Sequence, residues 1–88
     1  MYIVYLIQDN VSKDLYVGYT NNLTRRLEEH NSAKTRSTKR SSEWILIYAE
    51  TYRSKKDALV REKKLKQSGN AKRGLKQRLQ DSFLENKN

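Results

Sequence analysis

Three segments of the chain carry the apolar patterns of β-strands. Residues 2–7 (YIVYLI) are β-branched or aromatic almost throughout and apolar on both faces, which predicts a covered strand at the centre of a sheet. Residues 15–20 (LYVGYT) follow a polar turn and predict the second arm of a hairpin. Residues 43–50 enclose the run WILIY and predict a third strand. Together these segments predict a small antiparallel sheet.

Helical patterns fill the rest of the chain. Asn21 and Asn22 are good N-caps for a helix over residues 23–30, which we expect to end at Asn31 and Ser32. Ser54, with an aspartate three residues later, resembles the capping box of a second helix that reaches Lys66. A last helix is predicted over residues 72–84.

The predicted order of elements is β-β-α-β-α-α, an α+β fold in which helices flank a three-stranded antiparallel sheet. A chain of 88 residues is expected to form one domain, here residues 1–84, followed by a polar tail, residues 85–88. Between the first helix and the third strand, residues 32–42 hold basic and small polar side chains, which predicts an exposed, mobile loop.

Composition narrows the possible functions. The chain has no cysteine and one histidine, which excludes disulfides, thiolate metal sites, cysteine nucleophiles and multi-histidine metal sites within one chain. Its apolar runs are too short for a membrane span, and its N-terminus has no signal-peptide pattern, so we expect a cytoplasmic protein without membrane contact.

Charge points to an anionic partner. The net charge is +9, and residues 25–78 hold seventeen basic against six acidic side chains. Such a concentrated field attracts polyphosphate, so we expect nucleic-acid binding. A basic surface that only keeps the protein in solution is the alternative.

Several polar residues interrupt apolar stripes. Arg26 and His30 lie beside the stripe of Leu23 and Leu27 in the first predicted helix, whereas Arg25, Glu28 and Glu29 point to solvent. Glu62 lies within the stripe predicted from Ala58, Leu59 and Leu65. A carboxylate at such a position requires a partner. The partner is either a basic side chain, Arg26 or a lysine, or a divalent ion that also binds water and a substrate phosphate.

The tyrosines and one glycine also break the pattern. Tyr16 and Gly18 share a strand face, and a glycine within a strand indicates either close backbone approach by a ligand or a bulge. Tyr2, Tyr48 and Tyr52 are interpreted as packing residues whose hydroxyls reach solvent.

The ordered set of motifs resembles the GIY-YIG nuclease superfamily. Ile3-Val4-Tyr5, Tyr16-Val17-Gly18 and residues 19–31 (YTNNLTRRLEEHN) resemble its core, and residues 58–66 (ALVREKKLK) look like its metal-binding helix. Arg36-Ser37-Thr38 ahead of Trp44 is similar to the small stand-alone bacterial branch, which is related to the N-terminal nuclease of the excision-repair incision subunit. The resemblance covers about residues 2–80. Tyr19 follows Gly18 where the repair nuclease has lysine.

The resemblance implies a metal-dependent endonuclease that hydrolyses DNA phosphodiester bonds, with DNA repair as its expected context. Tyr16 would act as general base or orient the water, and Tyr5 would support it by hydrogen bonding. Arg26 would hold the scissile phosphate, His30 would assist proton transfer or contact the phosphate, and Glu62 would ligate one Mg²⁺ or Mn²⁺.

The expected DNA contacts are Gly18, Arg25, Lys34, Arg36, Lys39 and Arg40. RNA is a second candidate substrate. Two other functions stay open: a non-catalytic nucleic-acid-binding module on the same fold, and an interaction protein that uses its basic loop and last helix.

Overall fold

The computed structural model describes residues 1–35 and 42–84, and these residues form three strands and three helices. In chain order the elements are β1 (Tyr2–Asp9), β2 (Leu15–Thr20), α1 (Leu23–Thr35), β3 (Trp44–Tyr52), α2 (Lys55–Gln67) and α3 (Gly69–Arg78). The predicted α+β class and the order β-β-α-β-α-α are confirmed.

The sheet has the order β2-β1-β3, and both pairings are antiparallel. β1 is central, as its two apolar faces predicted, and six consecutive residues from Val4 to Asp9 are buried. Its pairing with β2 is regular from Ile3–Thr20 to Gln8–Leu15. Its pairing with β3 contains a bulge, because Leu6 faces Tyr48 and Ile7 faces Leu46.

Alternation along β1 divides the molecule into two layers. Val4 and Leu6 point to one face, where they pack with Ala58 and Leu65 of α2 and Leu75 of α3 in the main core. Tyr5 and Ile7 therefore point to the opposite face, where α1 lies. Candidate catalytic residues on the α1 face are thus separated from the main hydrophobic core by the sheet.

The β1–β2 turn is held by a buried aspartate. Asp9 is 1% exposed and accepts hydrogen bonds from the backbone N–H groups of Val11 and Ser12 at 2.7 and 2.8 Å. Its other carboxylate oxygen accepts from the Ser42 hydroxyl at 2.7 Å, which ties the turn to the segment before β3. Lys13 adopts a left-handed conformation with a φ of 65°. These hydrogen bonds therefore fix the conformation of the turn at one end of the sheet.

The predicted end of the first helix and the predicted start of the last helix were wrong, and side-chain bonding explains both. α1 continues past His30 to Thr35 because Asn31 does not end the helix; its side chain bonds both backbone groups of Trp44, at 2.7 and 3.3 Å. α3 begins at Gly69 because Ser68 caps α3 with its hydroxyl and α2 with its N–H.

The chain after α3 is not helical, although the last helix was predicted to reach residue 84. α3 ends at Arg78, and the backbone N–H of Leu84 instead donates to the Gln8 side chain at 2.7 Å. Phe83 packs against the main core from this segment. The segment 79–84 is therefore folded back onto the sheet.

The apolar stripe of α2 also differs from the prediction. Ala58 and Leu65 are buried, but Leu59 is 40% exposed and lies outside the stripe. Arg61 and Glu62 lie half-buried along the inward side between them.

The Arg61 guanidinium donates to the Glu50 carboxylate at 2.9–3.1 Å, and the hydroxyls of Tyr48 and Tyr52 donate to the same carboxylate. The interpretation of these two hydroxyls as solvent-facing was wrong. Burial alone would raise the pKa of Glu50, but the three donors outweigh it and hold that pKa below its usual value. Burial and the Glu50 bond raise the pKa of Tyr52 to about 12.

Candidate active site

The side chain of Tyr5 lies directly over Gly18 on the neighbouring strand. The two residues are opposite each other in the β1–β2 pairing, and a Cβ on Gly18 would lie 2.3 Å from Tyr5 Oη and 2.4 Å from Cζ. Neither a ligand nor a bulge is needed to explain the glycine, since the pairing there is regular. Gly18 is required so that the Tyr5 ring can cross the strand.

This arrangement aims the Tyr5 hydroxyl at α1. Tyr5 Oη and His30 Nε2 form a hydrogen bond of 2.9 Å. Burial raises the pKa of Tyr5, although the nearby Arg26 opposes this, so the phenol stays protonated and can donate. Burial, and then the charge of Arg26, lowers the pKa of His30 below its usual 6.5, so a neutral imidazole at pH 7 can accept that bond.

Tyr16 completes an aromatic cluster with these two rings. Its ring centroid lies 4.9 Å from that of His30 in an edge-to-face arrangement and 6.3 Å from that of Tyr5. Trp44, at the start of β3, lies 6.3 Å from both Tyr16 and His30. Trp44 was not among the predicted site residues, and it encloses the cluster on the β3 side.

Arg26 lies one turn of α1 before His30, as the four-residue spacing predicted. The guanidinium is bonded to Glu29 at 3.1 Å, and 40% of the side chain is exposed. Its interaction with the Tyr5 hydroxyl, and then with Glu29, raises the pKa of Arg26. A permanently charged, accessible guanidinium beside the tyrosines is suited to bidentate binding of a phosphate.

Glu62 reaches the same cluster from α2 through Lys66. The Lys66 ammonium lies 2.9 Å from Glu62 Oε2 and 5.6 Å from the centroid of the Tyr16 ring. A lysine was one of three partners considered for Glu62, with Arg26 and a divalent ion, and it is the partner present in the structure. Lys66 was missed as a site residue, although its spacing of i+4 from Glu62 was a signal in the sequence.

The residues around Glu62 could hold one divalent ion with few protein ligands. Among residues 1–35 and 42–84, no three His, Asp or Glu side chains converge as a metal cluster. Mg²⁺ nevertheless commonly binds through a single carboxylate with water and substrate phosphate. The ammonium of Lys66 already places a cation against Glu62, whose side chain is 20% exposed. The residues therefore fit a divalent ion, provided that Lys66 moves aside.

The predicted DNA contacts are distributed unevenly. Arg25 is exposed on α1 and pairs with Glu29 at 3.9 Å, whereas Gly18 is buried under Tyr5. The backbone of Lys34 belongs to the last turn of α1 rather than to a loop. Arg36, Lys39 and Arg40, with most of the loop predicted to be mobile, lie outside the described residues.

Within the described residues, no helix is long and apolar enough to cross a membrane.

The family model for the GIY-YIG catalytic domain matches residues 1–85. No solved structure matches the chain at comparable significance.

Three bacterial relatives have similar sequences. A UPF0213 protein of Desulfotalea psychrophila is 38% identical over 75% of this chain and 61% of its own length. A UPF0213 protein of Bacillus velezensis is 37% identical over 75% of this chain and 65% of its own length, so the chain spans less than two thirds of both proteins. A third, from Staphylococcus haemolyticus, is 38% identical over 72% of this chain and 77% of its own length. Because the family model matches residues 1–85, nearly all of the chain, the chain belongs to the GIY-YIG nuclease family.

Proposed function

We propose that this protein is a metal-dependent endonuclease that hydrolyses DNA phosphodiester bonds. One observation carries the proposal: Tyr5, Tyr16 and His30 form one cluster, with the Arg26 guanidinium beside it and Glu62 linked to it through Lys66. The family supports a nuclease, and the basic surface supports a nucleic-acid substrate.

Each residue has a role that its surroundings favour. Arg26 binds the scissile phosphate and stabilises the negative charge that develops on it, because its guanidinium is accessible and always ionised. Glu62 holds a Mg²⁺ or Mn²⁺ ion, which when bound would polarise the phosphate and lower the pKa of a coordinated water. Lys66 would have to leave Glu62 for an ion to bind there, because its ammonium now pairs with that carboxylate.

Proton transfer is assigned to the aromatic cluster. A phenol is a weak base at neutral pH, so Tyr16 relays a proton while orienting the attacking water. Tyr5 donates to His30 and holds the imidazole against the Tyr16 ring. His30, whose pKa is lowered by burial and Arg26, can accept the hydroxyl proton of Tyr5 at Nε2, and the proton relayed by Tyr16 then replaces it on the Tyr5 oxygen.

Cleavage of supercoiled plasmid and of branched DNA by purified protein in Mg²⁺ or Mn²⁺ tests the proposal. Glu62→Gln and Tyr16→Phe are expected to lose activity by at least about 100-fold, the usual contribution of such groups. Glu28→Gln, at an exposed carboxylate of α1, and Tyr19→Phe, a tyrosine that stacks on Tyr2 on the other sheet face, are matched controls. Absence of cleavage by the unmodified protein, or full activity of both site variants, would overturn the proposal.

The Glu62–Lys66 ion pair favours a second candidate, a nucleic-acid-binding module without catalysis. It predicts salt-dependent DNA binding that Glu62→Gln leaves unchanged, and no cleavage. A parallel assay on RNA of the same sequence decides between the two nucleic acids. A cytoplasmic location and a part in DNA repair remain predictions.

A further inference from the structure

A basic groove lies beside the candidate active site, on the opposite side from the predicted α1 contacts. It has a volume of about 480 Å³ and runs between the β1–β2 turn, the end of α2 and α3. Four lysines line it, Lys13, Lys66, Lys72 and Lys76, against one carboxylate, Asp14.

Tyr16 and Lys66 belong to both the groove and the site. Tyr16 lines the groove and contacts the His30 ring, and Lys66 lines it while pairing with Glu62. Tyr16, on the edge strand β2, and Lys66 therefore connect the candidate active site to the groove.

The walls of the groove are ordered. The turn carrying Lys13 is fixed by the Asp9 hydrogen bonds, and the segment behind α3 is fixed by the Leu84–Gln8 bond. The floor includes the core residues Leu65 and Leu75, so the lysines stand around an apolar base. The ammonium of Lys13 also donates to the Asn10 carbonyl at 2.5 Å, and that of Lys66 pairs with Glu62. Lysines still outnumber carboxylates four to one in the lining, and this excess of positive charge favours a polyanion over a neutral ligand.

We infer that this groove binds the sugar–phosphate backbone of the substrate strand on one side of the scissile bond. The inference rests on the proposed function and adds a strand path that the α1 residues do not supply. Its main phosphate contacts are the exposed Lys72 and Lys76 of α3, and Lys13 adds a contact when its ammonium releases the Asn10 carbonyl; the strand enters the site over Tyr16.

The test measures DNA binding by fluorescence anisotropy over a range of salt concentrations in EDTA, where cleavage does not interfere. The variant Lys13→Gln/Lys72→Gln/Lys76→Gln is compared with Lys55→Gln/Lys56→Gln/Lys63→Gln. The second set removes the same charge from another surface of α2, around Leu59 and Val60. Each lost phosphate contact reduces the slope of log K against log salt by about 0.9, so the groove variant should lose about 2 to 3 from the slope and the control less than about 1.

Equal slopes for the two triple variants would overturn the inference, because the lysines would then act only through net charge. Since Lys13 has a left-handed backbone and its substitution can disturb the turn, the Lys72→Gln/Lys76→Gln double variant is measured as well, with an expected loss of about 2. If the unmodified protein binds and cleaves DNA but the variants behave alike, the inference alone fails. If it binds no DNA, the proposed function fails too.

Cross-linking gives the direction of the path. The chain has no cysteine, so a photo-cross-linker on Lys76→Cys is unique, and the same reagent on Lys56→Cys is its control. Cross-links from position 76 confined to nucleotides on one side of the cleavage site support the path. Cross-links on both sides, or equally from position 56, contradict it.

Discussion

Gly18→Ala should unfold the molecule more easily, because the added methyl group meets the Tyr5 ring. The new Cβ would lie 2.3–2.4 Å from the end of the ring, where ordinary contacts are 3.4–4 Å, so the ring must move by about 1 Å. Tyr5 is 2% exposed and bonded to His30, so this movement takes place in a packed interior. Overpacking costs about 1–3 kcal/mol, and the strained or broken hydrogen bond about 1 kcal/mol more.

The free energy of unfolding, measured in urea by circular dichroism, should therefore fall by about 2–4 kcal/mol, with a Tm lower by roughly 10–25 °C. Gly74→Ala is the matched control: nothing lies within 4 Å of its Cβ position in the middle of α3, so alanine should stabilise by about 0.5–1 kcal/mol. In a Tyr5→Leu background, Gly18→Ala should cost less than about 1 kcal/mol. A cost below about 0.5 kcal/mol in the otherwise unmodified chain, or an equal cost in both backgrounds, would refute the reasoning.

Three further predictions follow from the contacts described. The single histidine, His30, should titrate below pH 6.5 by NMR, and stability should fall as the pH drops from 6.5 through that lowered pKa, because the unfolded chain binds the proton more readily; titration at or above 6.5 would contradict this. Glu50→Ala leaves Arg61 half-buried without its carboxylate and should cost about 2–3 kcal/mol in urea unfolding, and a loss under about 0.5 kcal/mol would be inconsistent with the pair. Lys66→Met removes the cation that competes for Glu62 and should tighten Mn²⁺ binding about two- to five-fold by electron paramagnetic resonance in the absence of DNA, whereas weaker binding would show that the lysine does not compete.

The sheet could be predicted because its strands are defined by local patterns. β1 is apolar on both faces, and this alone indicated its central position. The end of α1 and the start of α3 could not be predicted in the same way. Asn31 resembles a helix terminator in sequence, but it bonds the backbone of Trp44, thirteen residues away. Ser68 serves two helices, which no single-helix rule anticipates.

The candidate active site likewise contains residues that the sequence indicated and residues that it did not. The motif resemblance pointed to Tyr5 and Tyr16, and the apolar stripe of the first helix pointed to Arg26 and His30. The reason for Gly18 is visible only in the strand pairing, which places it under Tyr5. Lys66 had a local signal in its spacing from Glu62, whereas Trp44 reaches the site through tertiary contact alone.

The hydrogen-bonded cluster around Glu50 also had a sequence signal. Tyr48, Glu50 and Tyr52 alternate along β3, and this period of two places both hydroxyls beside the carboxylate. Considered one at a time, Tyr48 and Tyr52 resemble ordinary packing residues, so the pattern is visible only when both are considered with Glu50. The contribution of Arg61 depends on how α2 packs against the sheet.

The most direct test of the central claim is the rate of Mg²⁺- or Mn²⁺-dependent DNA cleavage by the unmodified protein and by Glu62→Gln, purified in parallel and shown by circular dichroism to be equally folded. We expect cleavage by the unmodified protein and a loss of at least about 100-fold in the variant, with DNA affinity in EDTA changed less than about three-fold. Equal cleavage by the two proteins, or none by either at protein concentrations that saturate the DNA, would contradict it.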